Sequence, residues 1–60
     1  MSDFKPGDKI TVTNPIQPTR FQGGETGVVV RVGFRYGMVQ IQDDADGRLA
    51  AVYPQEITAQ

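Results

Sequence analysis

The stretch that decides the fold is GVVVRV at residues 27–32. β-branched side chains fit a pleated, half-buried surface, so a run this rich in valine predicts a β-strand. Alternation along the strand predicts three residues on one face: Val28, Val30 and Val32. Val29 and Arg31 are then predicted to lie on the opposite face. The glycine at position 27 predicts a bulge or bend, which is how a small sheet curls into a barrel.

Two shorter runs flank this strand and alternate polar with apolar residues, the pattern of half-buried strands. Residues 9–13 (KITVT) precede it and residues 38–42 (MVQIQ) follow it. The segment between the second and third runs, residues 33–37 (GFRYG), is bracketed by glycines and predicts a hairpin tip. Strands two and three are therefore expected to pair directly.

The rest of the chain supplies turns, two more strands and one long loop. Residues 14–24 carry two prolines and two glycines and predict an irregular connection. Residues 43–47 (DDADG) predict a second hairpin turn, and residues 48–53 a fourth strand. The segment PQE at 54–56 predicts one tight helical turn, followed by a short last strand at 57–58.

In chain order these elements predict an all-β, five-stranded small barrel that spans residues 1–60 as one domain. It has a long first loop and a tight helical turn before the last strand. Closing so small a sheet removes edges that would otherwise attract other strands. The inward positions define the predicted core: Ile10, Val12, Phe21, Val28, Val30, Val39, Ile41, Val52 and Ile57. Phe21, in the long loop, is expected to anchor that loop to the core.

Composition excludes several classes of protein. Six basic and seven acidic residues give a net charge of −1, which argues against a surface built wholly to bind nucleic acid. There is no cysteine and no histidine, so a zinc site with thiolate or imidazole ligands is excluded. No apolar run is long enough for a membrane span, and the first residues lack the order of a secretory signal, so a cytoplasmic location is expected.

Catalytic and metal-binding patterns are weak. No nucleophile with an activating base is evident, so we expect no catalytic residue, no metal and no cofactor. The acidic turn holds Asp43, Asp44 and Asp46 but lacks the spacing and the closing glutamate of a calcium loop. It is therefore predicted to be a solvated hairpin turn, with Arg48 pairing with one of its aspartates.

The hairpin tip, residues 34–38, is the candidate binding site. Aromatic, arginine and methionine side chains are enriched at protein interfaces, and aromatic and arginine side chains can also stack on nucleic-acid bases. The predicted binding residues are Arg31, Phe34, Arg35, Tyr36 and Met38, with Arg20 of the long loop extending the positive patch. The alternative is that Phe34 or Tyr36 folds back to cap the core. An arginine-bearing tip and an aspartate-bearing turn at opposite ends of one strand predict a bipolar molecule.

Three motifs carry a resemblance to known proteins: FxPGDxIxV at 4–12, GExGxVxxV at 24–32 and VxPxxI at 52–57. They resemble the SH3-like small-barrel families, which include KOW-type domains of ribosomal and transcription proteins and accessory subunits of photosynthetic electron-transfer complexes. The resemblance covers nearly the whole chain and implies the fold more than a function, because one fold hosts many functions.

A fainter resemblance is to the type B dihydrofolate reductases, short SH3-like chains whose tetramer forms an active pore. Gly7-Asp8 and Tyr53-Pro54 carry it. That family has a Val-Gln-Ile-Tyr run before the proline, whereas residues 50–53 here are AAVY. The glutamine that contacts the ligand is missing, so no catalytic residue is carried over.

The sequence therefore predicts a non-enzymatic binding module, a small accessory protein that docks on a protein partner through the hairpin tip. The second hypothesis is a KOW-like domain that binds RNA or DNA with the same tip. The remote third is a reductase-like oligomeric enzyme. A chain of 60 residues buries little surface for its size, so association with a larger complex or with further copies stays open.

Overall fold

The computed structural model describes residues 4–60, apart from the side chain of Arg35; the first three residues of the predicted domain lie outside this range. Over this range the chain forms five strands and two 3-10 turns. The strands are β1 (Lys9–Val12), β2 (Thr26–Phe34), β3 (Met38–Asp43), β4 (Leu49–Val52) and β5 (Ile57–Ala59). The 3-10 turns are η1 (Arg35–Gly37) and η2 (Pro54–Glu56). Within the described residues no helix has the length and apolar character needed to cross a membrane.

All five strands belong to one antiparallel sheet in the order β4-β3-β2-β1-β5. The predicted all-β class, the five strands, the long first loop and the tight turn before the last strand are confirmed. β2 is central and pairs with both β1 and β3. β4 and β5 form the two edges of the sheet and do not pair with each other.

Eight apolar side chains form one buried cluster: Ile10, Val12, Phe21, Val29, Val39, Ile41, Val52 and Ile57. Seven of these eight residues were expected from the sequence. The predicted inward face of β2 is wrong. Val28 is only half-buried and Val30 is 41% exposed, whereas Val29 is 1% exposed. A strand shifted by one residue turns every side chain to the other face, and valines occupy both faces of this run.

Gly27 accounts for the orientation of β2. It lies opposite Ile10 on β1 and opposite Asp43 on β3, on the inner side of the sheet. A Cβ at this position would lie 2.6 Å from the carbonyl oxygen of Gln42, closer than real Cβ atoms approach. Only glycine fits there, and alternation from an inward Gly27 brings Val29 inward as well.

The pairing of β2 with β3 changes register after Val29. Val29 lies opposite Ile41, but Arg31 lies opposite Gln40, so one extra residue is present in β2. This bulge leaves Val30 and Arg31 both exposed, and a second register shift precedes Phe34. Bulges redirect side chains in this way. Beyond the bulge, β2 no longer contributes to the buried cluster.

A buried carboxylate attaches the long loop to η2. Glu56 is 4% exposed, and its side chain accepts hydrogen bonds from the backbone N–H of Ile16 at 2.9 Å and of Tyr53 at 2.7 Å. Its carbonyl oxygen accepts two more from Thr13 and Asn14. Together with Phe21, which packs in the core as predicted, these bonds hold the loop against the sheet.

Candidate functional site

The hairpin tip is built by η1, which connects β2 to β3. Glycines on both sides of Tyr36 adopt the positive φ angles that an L side chain rarely adopts, 67° at Gly33 and 74° at Gly37. Tyr36 itself has φ 59°, the one non-glycine residue with positive φ among those described. This backbone turns its ring away from the sheet, and the residue is 87% exposed. The alternative in which Tyr36 folds back onto the core is therefore wrong.

The residues that flank η1 are less exposed than Tyr36. Phe34 and Met38 lie opposite each other on β2 and β3, and both are half-buried. The guanidinium carbon of Arg31 lies 5.9 Å from the centre of the Phe34 ring, within the range of a cation–π contact. The side chain of Arg35 lies outside what the structure describes. The structure thus brings together Arg31, Phe34, Tyr36 and Met38.

Arg20 does not join this group, contrary to the prediction that it extends the positive patch. Its guanidinium binds Asp43 at 3.3 Å and Asp46 at 3.2 Å, at the other end of β3. It also lies over the ring of Phe21, 5.0 Å from the ring centre. A strand rises about 3.3 Å per residue, so the six residues of β3 put roughly 17 Å between this network and the tip.

The acidic turn is less solvated and less negative than its composition suggests. Asp43 is the last residue of β3, is 7% exposed and accepts a hydrogen bond from the N–H of Ala45. Arg48 lies 3.8 Å from Asp46, as predicted. Because Arg20 and Arg48 offset two of the three aspartates, the predicted bipolar charge distribution is weaker than the sequence indicates.

Two carboxyl groups have lowered pKa values for a shared reason. The backbone N–H of Arg48, with help from the Arg20 side chain, holds the pKa of Asp46 below its ordinary 3.8. Backbone hydrogen bonds, first from Gln22 and then from its own N–H and that of Gly23, hold the pKa of Glu25 below its ordinary 4.5. N–H donors favour the charged form.

A shallow depression of about 310 Å³ lies between the long loop and the acidic turn. Its acidic lining residues, Glu25, Asp43 and Asp44, all accept hydrogen bonds from protein groups, with Thr26 donating to Asp44 at 2.8 Å. No group of three or more metal-binding side chains with suitable placement occurs in the described part of the chain. These carboxylates serve the structure of the loop and the turn.

The outward side of β4, together with the residue that follows it, holds exposed residues that sequence reasoning missed. Leu49 is 56% exposed and Tyr53 is 39% exposed, and Ala51 between them is exposed too. Pairing places Leu49 opposite Gln42 and Ala51 opposite Gln40. The only available signal was alternation in residues 49–53, which is weak because four of these five residues are small or aliphatic.

Three comparisons with known proteins, against family models, curated proteins and solved structures, give no match. The candidate site is therefore defined by its own geometry. It consists of an exposed tyrosine on a constrained turn and an arginine over a half-buried phenylalanine.

Proposed function

We propose that this chain is a non-enzymatic binding module, a small accessory protein with an SH3-like barrel fold that docks on a protein partner through the hairpin tip. The strand order β4-β3-β2-β1-β5 and the 3-10 turn before β5 support that fold. Val52 and Ile57, on either side of that turn, pack in the same buried cluster. A buried cluster shared by one residue of each edge strand supports a small barrel.

The observation that carries the proposal is the conformation of Tyr36. A non-glycine residue with positive φ costs about 1–2 kcal/mol relative to an ordinary backbone conformation. An aromatic side chain that is 87% exposed gains little burial to offset that cost. Strain of this kind concentrates at ligand-binding positions, where it fixes a side chain in the orientation that the ligand needs.

The chemistry around Tyr36 favours a protein partner. Tyrosine offers a large contact area with few rotatable bonds, and arginine can form a bidentate ion pair with a carboxylate. Arg31, with no ion pair among the described residues, supplies the charge, while Val30 and Val32 beside it are 41% and 38% exposed. These side chains would match a partner that has an apolar surface bordered by an acidic group.

Nucleic-acid binding is the second candidate, because an exposed tyrosine beside an arginine can stack on a base and contact a phosphate. The placement of the other arginines weighs against it. Arg20 and Arg48 are both engaged with aspartates at the far turn. This leaves few cations near the tip to contact phosphates.

The test uses a tagged chain to capture partners from the native cell, with the double substitution Tyr36→Ser and Arg31→Ser. Both side chains are exposed, so the circular dichroism spectrum should stay unchanged while partner capture is lost. The matched control is Gln55→Ala, an exposed residue of η2. Equal capture by the double variant and the wild type would refute docking through the tip.

The nucleic-acid alternative is tested by anisotropy with labelled RNA and DNA over a series of salt concentrations. For binding through the tip, the logarithm of the binding constant should fall linearly with the logarithm of the salt concentration. The slope should correspond to about two or three phosphate contacts. No binding at low salt eliminates this alternative. Binding that is lost in the double variant would replace the protein-docking proposal.

A further inference from the structure

β4 is an edge strand with unusual composition. Its sequence is LAAV, with no charged residue, no proline and no glycine. Edge strands of monomeric proteins are commonly protected by charges, prolines or bulges, because their unpaired N–H and C=O groups attract other strands. β4 contains none of these protections, and among residues 4–60 its one neighbour in the sheet is β3.

The hydrogen-bond pattern identifies which groups of β4 are free. The backbone N–H of Asp43 donates to the carbonyl oxygen of Arg48 at 2.8 Å, so these two residues form a hydrogen-bonded pair of the ladder. Hydrogen-bonded and non-bonded pairs alternate in an antiparallel ladder. The bonded pairs are therefore Ile41 with Ala50 and Val39 with Val52.

Leu49 and Ala51 occupy the non-bonded pairs, opposite Gln42 and Gln40. Their N–H and C=O groups point away from β3, toward the free edge. In the part of the chain that the structure describes, no turn, loop or side chain supplies a partner for these groups. The next residue with that orientation, Tyr53, instead donates its N–H to Glu56. The free edge is thus short and consists of two residues.

We propose that β4 pairs with β4 of a second copy of this chain across a two-fold axis centred on Ala50. In that register Leu49 lies opposite Ala51 of the other copy, and each pair exchanges two hydrogen bonds. The free N–H and C=O groups of Leu49 and Ala51 are then satisfied in both copies. A two-fold interface uses the same patch on both partners, and β4 is complementary to itself in this sense.

The side chains fit the same arrangement. The large Leu49 of one copy packs beside the small Ala51 of the other on the outward side of the sheet. Ala50 meets Ala50 at the axis, where non-bonded antiparallel pairs approach most closely and a methyl group fits. β4 itself carries no charge, so no like charges meet within the paired strands.

The dimer would also change how the hairpin tip is presented. The tip lies next to the end of β4 that holds Val52, because Val52 pairs with Val39 near the start of β3. A two-fold axis reverses the strand direction, so the two tips lie at opposite ends of one continuous sheet. The pairing itself is independent of what the tip binds.

The test is the oligomeric state of the full chain by sedimentation equilibrium up to millimolar concentration, together with amide hydrogen exchange. We expect reversible dimers, and slower exchange of the Leu49 and Ala51 amides as concentration rises. Intermolecular contacts between labelled and unlabelled copies should involve Leu49 and Ala51. A monomer at all concentrations with fast exchange at both amides would overturn the proposal.

Ala51→Pro removes one N–H donor per copy without removing a bond to β3, as proline can at an edge. The dissociation constant should rise by about tenfold or more. The matched control is Ala59→Pro on the other edge, where Gln60 donates to Lys9 and the N–H of Ala59 therefore points away from β1. It should leave dimerisation unchanged. A dimer that survives Ala51→Pro but dissociates with Tyr36→Ser would place the interface at the tip and refute the β4 pairing.

If Ala51→Pro does not fold, Leu49→Lys provides a second variant, since the Leu49 side chain is exposed in the monomer. It places two like charges near each other across the proposed axis and should dissociate the dimer. Retention of the wild-type dissociation constant in Leu49→Lys would contradict the proposal.

Discussion

The carboxylate of Glu56 accepts a hydrogen bond from the backbone N–H of Ile16, 40 residues earlier in the chain, at a distance of 2.9 Å. The same carboxylate accepts a second bond from Tyr53 at 2.7 Å. One buried side chain therefore fixes both the long loop and the turn before β5. A charged group is rarely buried to this extent unless it is hydrogen-bonded. Here the carboxylate accepts both of its bonds from backbone N–H groups.

Replacing Glu56 should destabilise the protein in a graded way. Glu56→Ala leaves two N–H groups without their partner and should lower the free energy of unfolding by about 3 kcal/mol. Glu56→Gln keeps one oxygen acceptor and should lower it by about 1–2 kcal/mol. Urea denaturation measures both. Gln55→Ala, one residue away and exposed, should change the value by less than about 0.5 kcal/mol. Equal stability of all three variants would show that the carboxylate is not needed.

Gly27→Ala should be among the most damaging single substitutions in the chain. Its Cβ would lie 2.6 Å from the carbonyl oxygen of Gln42, a backbone atom that cannot move without disturbing β3. We expect a loss of about 2 kcal/mol or more in the free energy of unfolding. The neighbouring Thr26→Ala should lose less than about 1 kcal/mol. A Gly27→Ala protein as stable as Thr26→Ala would contradict the close approach of β2 to β3 at this position.

Tyr36 should be dispensable for stability. Asparagine tolerates positive φ better than tyrosine, so Tyr36→Asn should leave the free energy of unfolding unchanged or raise it by up to about 1 kcal/mol. Tyr53 is the matched control, because it has an ordinary φ of −79° and is less exposed. Tyr53→Asn should lower stability by about 0.5–1 kcal/mol. A larger loss in Tyr36→Asn than in Tyr53→Asn would indicate that Tyr36 supports the fold and not a partner.

Stability should fall on acidification because of Glu25 and Asp46. Each has a folded pKa below its ordinary value, 4.5 for Glu25 and 3.8 for Asp46, so the unfolded chain binds more protons in this range. Their contribution is fully present above those ordinary values and is lost as the pH falls through the lower, folded values. Urea unfolding at a series of pH values from 6 downward, about one unit apart, would show the decline.

The variants Glu25→Gln and Asp46→Asn should each reduce the dependence of stability on pH in that acidic range. Gln55→Ala keeps every carboxylate and should retain the wild-type dependence. If both carboxylate variants also kept the wild-type dependence, the hydrogen bonds from Gln22 and Arg48 would not favour the charged forms.

Much of the fold follows from local pattern, because alternation and turn residues act over a few positions. The succession of strands and turns along the chain, the hairpin tip and most of the core could be predicted in this way. The orientation of β2 could not be, because valines at 28, 29 and 30 satisfy either choice of face. The decisive residue is Gly27, whose close approach to Gln42 is a contact between strands that no single strand reveals.

The candidate site was predictable in part for the same reason. Arg31, Phe34, Tyr36 and Met38 are close in sequence and remain close in the fold. Arg20 is in a long loop, and its partners, Asp43 and Asp46, lie more than 20 residues away. The path of such a loop depends on tertiary contacts such as that of Glu56. A glutamate three residues after Tyr53, the residue just before the turn, was the one available hint of that role.

The bulge after Val29 divides β2 into two segments that are under different structural constraints. The segment before it must fit the interior, where one added or lost methyl group is felt. The three residues after it, 30–32, are exposed and do not have to fit the interior. In a randomised library selected only for folding, the residues found at 30–32 should therefore be far more varied than those found at 27–29. Substitutions there could change what the molecule binds without altering its buried core.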